Sequence, residues 1–574
     1  MATSLVSPAS SECSFAQRHK KSRRFEISFV TALTFAALLV HGYHPYAEDG
    51  GVYMPEIKRM VDPSLYPHGS AFVVGHLPYS LFAPMIAGLA RLTHWSVETV
   101  LFIAYLASFW MTLFSASLLA SRCNRSREAR CGAVALLAAW ITLPIAGTSL
   151  MLMDPYVTAR SIATPFALLA LVGALDFMLT LPLGDSGTER GVKGVILCCV
   201  SLAVAAAMHP LMGAYAVGSV LLLAILMWPS PAVRIWGMGA VTFATIATAA
   251  GIVLSAPSES AVYKQIVMTR YYWFVGQWRW YEVFGLIAPL LILGFAAWRH
   301  RNATNAAQLG LVRMALAAGL LAGVTAILFA RSAMDTHAVA RLQPLRIFQL
   351  VYIVMILQLG AAMAERLLRH KKWRWAITYS LLGMVMIAAE RTTFSASKHI
   401  EIPQEMRASS ATGTSNLWEE AFVWIRGNTP KDAKFALNAH YISKPGEDAQ
   451  GFRAIAERSV LPDFSKDGGV VTNKPELAQL WLQGQETQSM LDIESDSQRA
   501  AALEPLGVTW VILPRGTATH FSCSYMNAAI KVCRLPSSAN STNVASFTQS
   551  ASHASSADSA PYADDNGAAV PLSR

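Results

Sequence analysis

Charge is what this sequence has least of. Only 14% of its 574 residues are Asp, Glu, Lys or Arg, where a soluble domain carries about 25%. The deficit is local. Between Phe25 and Glu390 the chain runs in long apolar blocks, and outside that range its composition is ordinary. A water-soluble fold cannot use such a stretch as surface, and the blocks lack the ten-residue alternation of a membrane barrel. Cysteine is also scarce. The seven present are too few for a disulfide framework, and Cys13, Cys123, Cys131, Cys198 and Cys199 fall inside a span or on the expected cytoplasmic side, where thiols stay reduced. There is no internal repeat and no pair of interrupted helices of the kind that builds many transporters. Nor is there a basic and aromatic pattern suited to a nucleic-acid groove, so the formal charge of +10 needs another source.

That source is loop chemistry. Arg18, Lys20, Lys21, Arg23 and Arg24 precede the first apolar block, Arg122, Arg125, Arg127 and Arg130 share one loop, and Arg366, Arg369, Lys371, Lys372 and Arg374 share another. Basic clusters on alternate loops follow the positive-inside rule and suit contact with anionic lipid. The blocks are long enough to cross about 30 Å of hydrocarbon as helices. They predict about eleven spans, near 26–43, 97–120, 132–152, 161–181, 193–208, 211–228, 235–255, 283–298, 313–330, 347–365 and 375–390. Segment 77–94 carries Pro78, Pro84, Arg91 and His94 and is expected to lie in the interface or re-enter, because a full crossing there would put the arginine loop outside. The first block shows no small-residue cleavage pattern and is expected to be retained.

The expected architecture is therefore mainly α: a polytopic helical membrane bundle with a small C-terminal α/β soluble domain. Its parts are a cytoplasmic tail (1–24), the transmembrane region (25–390) with an outer loop at 44–96, an exported α/β domain (391–535), and a disordered Ser- and Ala-rich tail (536–574) that cannot bury enough surface to fold. In the soluble part, 416–426 and 476–490 have helical spacing, while 435–438, 507–513 and 529–534 resemble strands. An odd number of spans is expected to place the two chain ends on opposite sides of the membrane, with the N-terminus cytoplasmic.

Chemistry concentrates just after the first span, in His41-Gly-Tyr-His-Pro-Tyr-Ala-Glu-Asp-Gly-Gly-Val-Tyr53. The Gly50-Gly51 pair is expected to free the backbone that sets Glu48 and Asp49. Other unusual polar residues fall on the same expected face: His44, Asp154, Arg160, His209, Lys264, Arg270, Asp335, His337, Arg341, Gln343 and Arg346. Ionisable groups at span ends facing a bundle interior mark a pathway or a site. Carboxylates suit proton transfer and cations suit a phosphate. Each also has a plainer reading. Glu48 and Asp49 could face water, Asp154 could cap a helix, His209-Pro210 could only make a turn, and Arg341 and Arg346 could snorkel. The aromatic residues of 271–281 could form an interfacial belt. Cys523 and Cys533, ten residues apart in sequence, could close a hairpin if exported or remain two buried thiols.

With those residues in view, the chain resembles the GT-C superfamily of integral-membrane glycosyltransferases across roughly 20–535. An acidic pair in the first outer loop, interfacial helices there, many further spans and an exported α/β domain carry the likeness. The chain also resembles a group of bacterial membrane proteins with Tyr-His-Pro-Tyr-Ala-Glu-Asp-Gly-Gly after the first span and Phe-Arg-Ala-Ile-Ala-Glu-Arg-Ser in the soluble part. The GT-C resemblance implies inverting transfer of a sugar from a polyprenyl-phosphate donor to a glycan, lipid or protein acceptor on the outer face. It implies Asp49 as general base, with Glu48 assisting, orienting it or joining it in holding Mg or Mn. Arg341 and Arg346 would neutralise the departing lipid phosphate, and Arg160 and His209 would line the same cavity. Two other readings compete: a lipid or solute transporter or flippase, and a non-catalytic scaffold with an exported sensing domain.

Overall fold

The computed structural model describes residues 8–74, 79–181, 188–301, 305–395, 397–402, 416–441 and 451–536, with side chains described from Arg24 onward. The tail expected to be disordered lies, after its first residue, outside the described residues. So do the side chains of Arg18, Lys20, Lys21 and Arg23.

The helices in chain order are α1 (Pro8–His41), α2 (Gly50–Val61), α3 (Ser70–Val73), α4 (Phe82–Thr93), α5 (Val97–Cys123), α6 (Arg127–Ala139), α7 (Ala159–Thr180), α8 (Thr188–Met208), α9 (Pro210–Met227) and α10 (Pro231–Ser255). They continue with α11 (Ala261–Met268), α12 (Trp280–Arg299), α13 (Ala306–Phe329), α14 (Ala338–Arg341), α15 (Phe348–Met363) and α16 (Lys372–Thr393). The backbone of α1 is helical from Pro8, well before the apolar run that was expected to start it. Among the described residues, nine helices are long and apolar enough to cross a membrane. Their surface is apolar as well: α10 buries only Ala249 and exposes Ile235, Trp236, Phe243 and Leu254. Outward-facing side chains of that kind belong against lipid.

Two of the eleven expected crossings, at 132–152 and 375–390, are not among these nine. α16 has 22 residues; the Tyr379 hydroxyl near its start donates to the Gly132 carbonyl at 3.2 Å, and Glu390 near its end meets His44. α6 differs from expectation. Block 132–152 reads as one helix, yet helix ends at Ala139 after 13 residues. The chain then unwinds through Trp140 and closes a small antiparallel bridge between Pro144 and Met151. It still runs the depth of α1, since Arg130 pairs with Glu26 at 3.3 Å and Thr142 hydrogen-bonds His41 at 2.8 Å. Irregular backbone at this depth is tolerated because protein covers it: Ile141 and Ile145 are buried, and Gln349 donates to the Leu152 carbonyl at 2.6 Å.

Segment 77–94 yields the short α4, too short to span. It packs Phe82, Ala83, Ile86, Ala87 and Ala90 inward and leaves Leu89 and Leu92 exposed, flanked by exposed Tyr79, Leu81 and Trp95. That is the profile of a helix lying in an interface. Its inner face meets α2, where the Tyr53 and Phe82 rings stand edge to face at 5.4 Å.

The soluble part holds α17 (Leu417–Asn428), α18 (Lys466–Val471), α19 (Ala478–Ser489) and α20 (Asp496–Leu503). Its sheet is built from β1 (Lys434–Ala436), β2 (Ser459–Val460), β3 (Trp510–Pro514), β4 (Ser522–Met526) and β5 (Ile530–Arg534). The order is β2-β1-β3-β5-β4. β1 runs parallel to both neighbours, and β3–β5 and β5–β4 are antiparallel. Side chains alternate across the central strand as pleating requires. Trp510 and Ile512 join Phe422, Ile425 and Phe435 under α17, while Val511 and Leu513 join Leu503 and Cys533 on the opposite face. Cys523 and Cys533 stand opposite each other in the β4–β5 register and are joined by a disulfide.

Candidate active site

The chain leaves α1 at His41 and reaches Asp49 at the N-cap of α2. The backbone distortion expected at the glycine pair sits two residues earlier. Glu48 itself is left-handed, with φ 44°, a conformation that strains any residue with a Cβ. Gly50 serves a different need: a Cβ there would fall 2.5 Å from the Pro45 carbonyl oxygen. Asp49 spends no side-chain hydrogen bond on capping, so its carboxylate is presented at the positive end of the helix dipole.

A residue that sequence reasoning missed meets this pair. Lys466, at the start of α18, places its ammonium 3.1 Å from Asp49 Oδ1 and in contact with Glu48 Oε2. Arg270 positions the backbone just before it, donating to the Ser465 carbonyl at 2.5 Å and the Phe464 carbonyl at 3.3 Å. Asp463 accepts from the Lys466 amide at 2.7 Å, and Arg453 forms a double hydrogen bond with Asp467 at 2.8 and 2.7 Å. Arg270, expected as a cavity residue, is thus a bracket between the bundle and the soluble part.

Behind Asp49, Asp154 and Arg160 form a buried ion pair. Asp154 does not cap a helix. The N-cap of α7 is Thr158, four residues later, whose amide donates to the Ser161 hydroxyl at 3.1 Å. Burial pushes the Asp154 carboxyl up, against the pull of Arg160. For Asp49, burial pushes the same way, but Lys466, Arg160 and then Arg346 outweigh it and hold the carboxyl well below its ordinary value. Asp49 nevertheless keeps 40% of its side-chain surface accessible.

Arg346 enters from the short turn before α15. Its Nε has no hydrogen-bond partner, and the same holds for Trp273 Nε1 and Gln343 Oε1. The three residues line one cavity, together with Thr148, Tyr272 and Leu345. The structure therefore brings Glu48, Asp49, Asp154, Arg160 and Arg346 into one electrostatic neighbourhood, joined by Lys466. The remaining candidates are held in other contacts. Arg341 donates to the Thr472 carbonyl at 3.4 Å, and His209 accepts from the Met212 amide at 3.4 Å as the N-cap of α9. His44 meets Glu390 at 2.5 Å. Lys264 lies 3.7 Å from Asp335, and His337 pairs with Glu259 at 2.7 Å.

A divalent ion on Glu48 and Asp49 does not fit this donor set, because the Lys466 ammonium already contacts both carboxylates and would repel it. The described residues offer a metal-ligating group elsewhere: His44, Glu390 and His399 present ligand atoms within 4.8 Å of one another.

No protein-family model matches the sequence, and no curated protein matches it. Among solved structures, the chain is similar to the archaeal oligosaccharyltransferase AglB from Archaeoglobus fulgidus in complex with an inhibitory peptide and a dolichol-phosphate. Identity is 11%, the TM-score is 0.44, and the match covers 86% of this chain and 70% of that one. It is likewise similar to the apo form of the Archaeoglobus fulgidus oligosaccharyltransferase, at 12% identity and a TM-score of 0.44, over 85% of this chain and 69% of that one.

Proposed function

We propose that the chain is an integral-membrane, GT-C-like glycosyltransferase that moves a sugar from a polyprenyl-phosphate donor to an acceptor, with inversion, on the exported face of a bacterial inner membrane. The observation that supports this reading is the ion pair of Asp49 with Lys466, with the charges of Arg160 and Arg346 acting on the same partly accessible carboxylate. In the step this arrangement suits, the acceptor hydroxyl oxygen bonds to the sugar's anomeric carbon. The bond from that carbon to the phosphate oxygen breaks, and the phosphate leaves with the electron pair. Asp49 takes the hydroxyl proton, a role that requires hydrogen-bond reach and an ionised carboxylate.

Lys466 keeps Asp49 ionised but makes it a weak base, so its chief contribution is to orient the acceptor and receive a proton released late. Arg346, with its unpartnered Nε beside Trp273 Nε1, is the cation suited to the departing phosphate. Arg160 is spent on Asp154 and sets the local potential. The positive-inside pattern supports an exported acid loop and a cytoplasmic N-terminus.

The test is mass spectrometry of lipid-linked sugars and surface glycans in a deletion strain carrying wild-type protein or Asp49→Asn. Wild type should clear the accumulated lipid-linked sugar, and Asp49→Asn should leave it. Full clearance by Asp49→Asn would remove the enzymatic reading, and altered lipid distribution without sugar turnover would favour a flippase.

A further inference from the structure

We infer that His44, Glu390 and His399 bind one divalent transition-metal ion of the zinc class, separate from the acid pair and independent of the glycosyl-transfer reading. Glu390, in the last turns of α16, lies with Oε1 2.5 Å from His44 Nε2 and Oε2 2.7 Å from His399 Nδ1. His44 comes from the loop after α1, and His399 from the segment that leaves α16. The two strands of chain are registered by the Tyr43–Ile400 bridge, with the Tyr43 amide donating to the His399 carbonyl at 3.0 Å and the Glu401 amide to the Tyr43 carbonyl at 2.9 Å.

The argument turns on protons. His399 Nε2 lies 2.8 Å from the Leu39 carbonyl, which can only accept, so Nε2 carries its hydrogen. In a neutral ring Nδ1 is then a lone pair, and it faces a carboxylate that also only accepts. Two acceptors at this distance need a cation between them, either a second proton or a metal ion. His44 Nε2 faces the other oxygen of Glu390 and can donate to it from a neutral ring. Its Nδ1 has no hydrogen-bond partner, and the buried Glu401 carboxylate stands 3.9 Å away with its Oε2 unpartnered. A divalent ion held by all three groups would meet the charge of these buried carboxylates.

The donor set, two imidazole nitrogens and a carboxylate, selects zinc-like ions over Mg or Ca. The outer contacts are those metal-binding histidines use: a carbonyl on the far nitrogen of His399, and a carboxylate on the far side of His44. Entry of the ion displaces the protons and widens the ligand gaps to about 3.3 Å, the edge of a tetrahedron with bonds of about 2.0 Å. The His399 side chain is 26% exposed, which provides both the route in and a place for a fourth, water ligand. Gly42 keeps the cradle open. A Cβ there would lie 2.1 Å from the His399 carbonyl oxygen and 3.0 and 3.1 Å from the two ligand nitrogens, and its φ of +70° suits glycine. Since His44 precedes Glu48 and Asp49 by a few residues, the bound ion would fasten the acid loop to the end of α16.

The experiment uses full-length protein in detergent, stripped with a chelator and titrated with Zn²⁺ and Co²⁺. Retained metal is measured after desalting, and Co²⁺ geometry is read from its ligand-field absorption. Wild type should hold one equivalent in a tetrahedral N/O environment and gain thermal stability with Zn²⁺. Glu390→Gln and the gentler His399→Asn should each weaken binding at least about tenfold and lose the Zn²⁺ effect on unfolding. The double variant Glu48→Gln/Asp49→Asn should bind as wild type does, which separates this site from the transfer reading. Wild type that retains no metal at micromolar free Zn²⁺, or Glu390→Gln that retains as much as wild type, would overturn the proposal.

Discussion

Lys466 and Asp49 form an ion pair at 3.1 Å although 417 residues separate them in sequence. One partner belongs to the loop after the first helix and the other to the soluble part, so the pair exists only when both have docked. The side chain of Lys466 is 17% exposed. Burial pulls its ammonium toward neutrality, but Asp49 and Glu48 reverse that and raise its pKa.

Lys466→Met keeps the side-chain length and removes the charge. The Asp49 carboxyl should then titrate higher, because its largest stabilising neighbour is gone while burial and Glu48 remain. The acid limb of the pH profile for lipid-linked sugar consumption is expected to move up by about one pH unit or more. An unmoved limb would mean that Lys466 does not govern the charge on Asp49.

The Asp154–Arg160 pair is buried on both sides. Removing one partner leaves an uncompensated charge, so Arg160→Met should destabilise the protein by about 3–5 kcal/mol. Asp154→Leu/Arg160→Met should recover most of that loss in thermal unfolding of the purified protein. A double variant no more stable than Arg160→Met would show that the pair's geometry, and not its stranded charge, sets the cost.

Asp463 gives a pH dependence of definite sign. Burial first, then the neighbouring Asp467, push its carboxyl up to about 7. The folded state therefore holds this proton at pH values where the unfolded chain, with a carboxyl near 4, has released it. The contribution is fully present below about pH 4 and is lost as pH rises through 7. Asp463→Asn, which preserves an acceptor for the Lys466 amide, should flatten the stability curve across that window by up to about 1.4 kcal/mol per pH unit. Equal slopes in the two proteins would remove Asp463 as the cause.

The Cys523–Cys533 disulfide closes a ten-residue separation. Its loss in Cys523→Ser/Cys533→Ser should cost the sheet about 2–3 kcal/mol by the chain-entropy relation. Proteolytic susceptibility of the soluble part, with and without reductant, reads the effect. If reductant changes wild type and the variant alike, the bond carries no stability.

Much of the bundle was legible because long apolar blocks admit few structures in lipid. Block 132–152 misled as to helix length: its composition is continuous, but Thr142 is drawn to His41, and the chain folds back on itself between Pro144 and Met151. The acid pair was legible from local density alone. Lys466 was not, since a lysine within Ser-Lys-Asp looks like any surface lysine and its partners lie hundreds of residues away. Glu390, His399 and Glu401 were hidden for the same reason. Of the two arginines expected at a phosphate, Arg346 lines a cavity with Trp273 and Gln343, while Arg341 donates to the Thr472 carbonyl.

The short helix α4 acts as a float for the chemistry above it. Its outer rim of Tyr79, Leu81, Leu89, Leu92 and Trp95 must settle where acyl chains give way to headgroups, and its inner face is fixed to α2 through Phe82 and Tyr53. Because Asp49 heads α2, the waterline at which α4 rides sets the altitude of the carboxylate above the hydrocarbon. A bilayer of different thickness would then leave the acid at the same height above the headgroups, because the loop follows the interface and not the far leaflet.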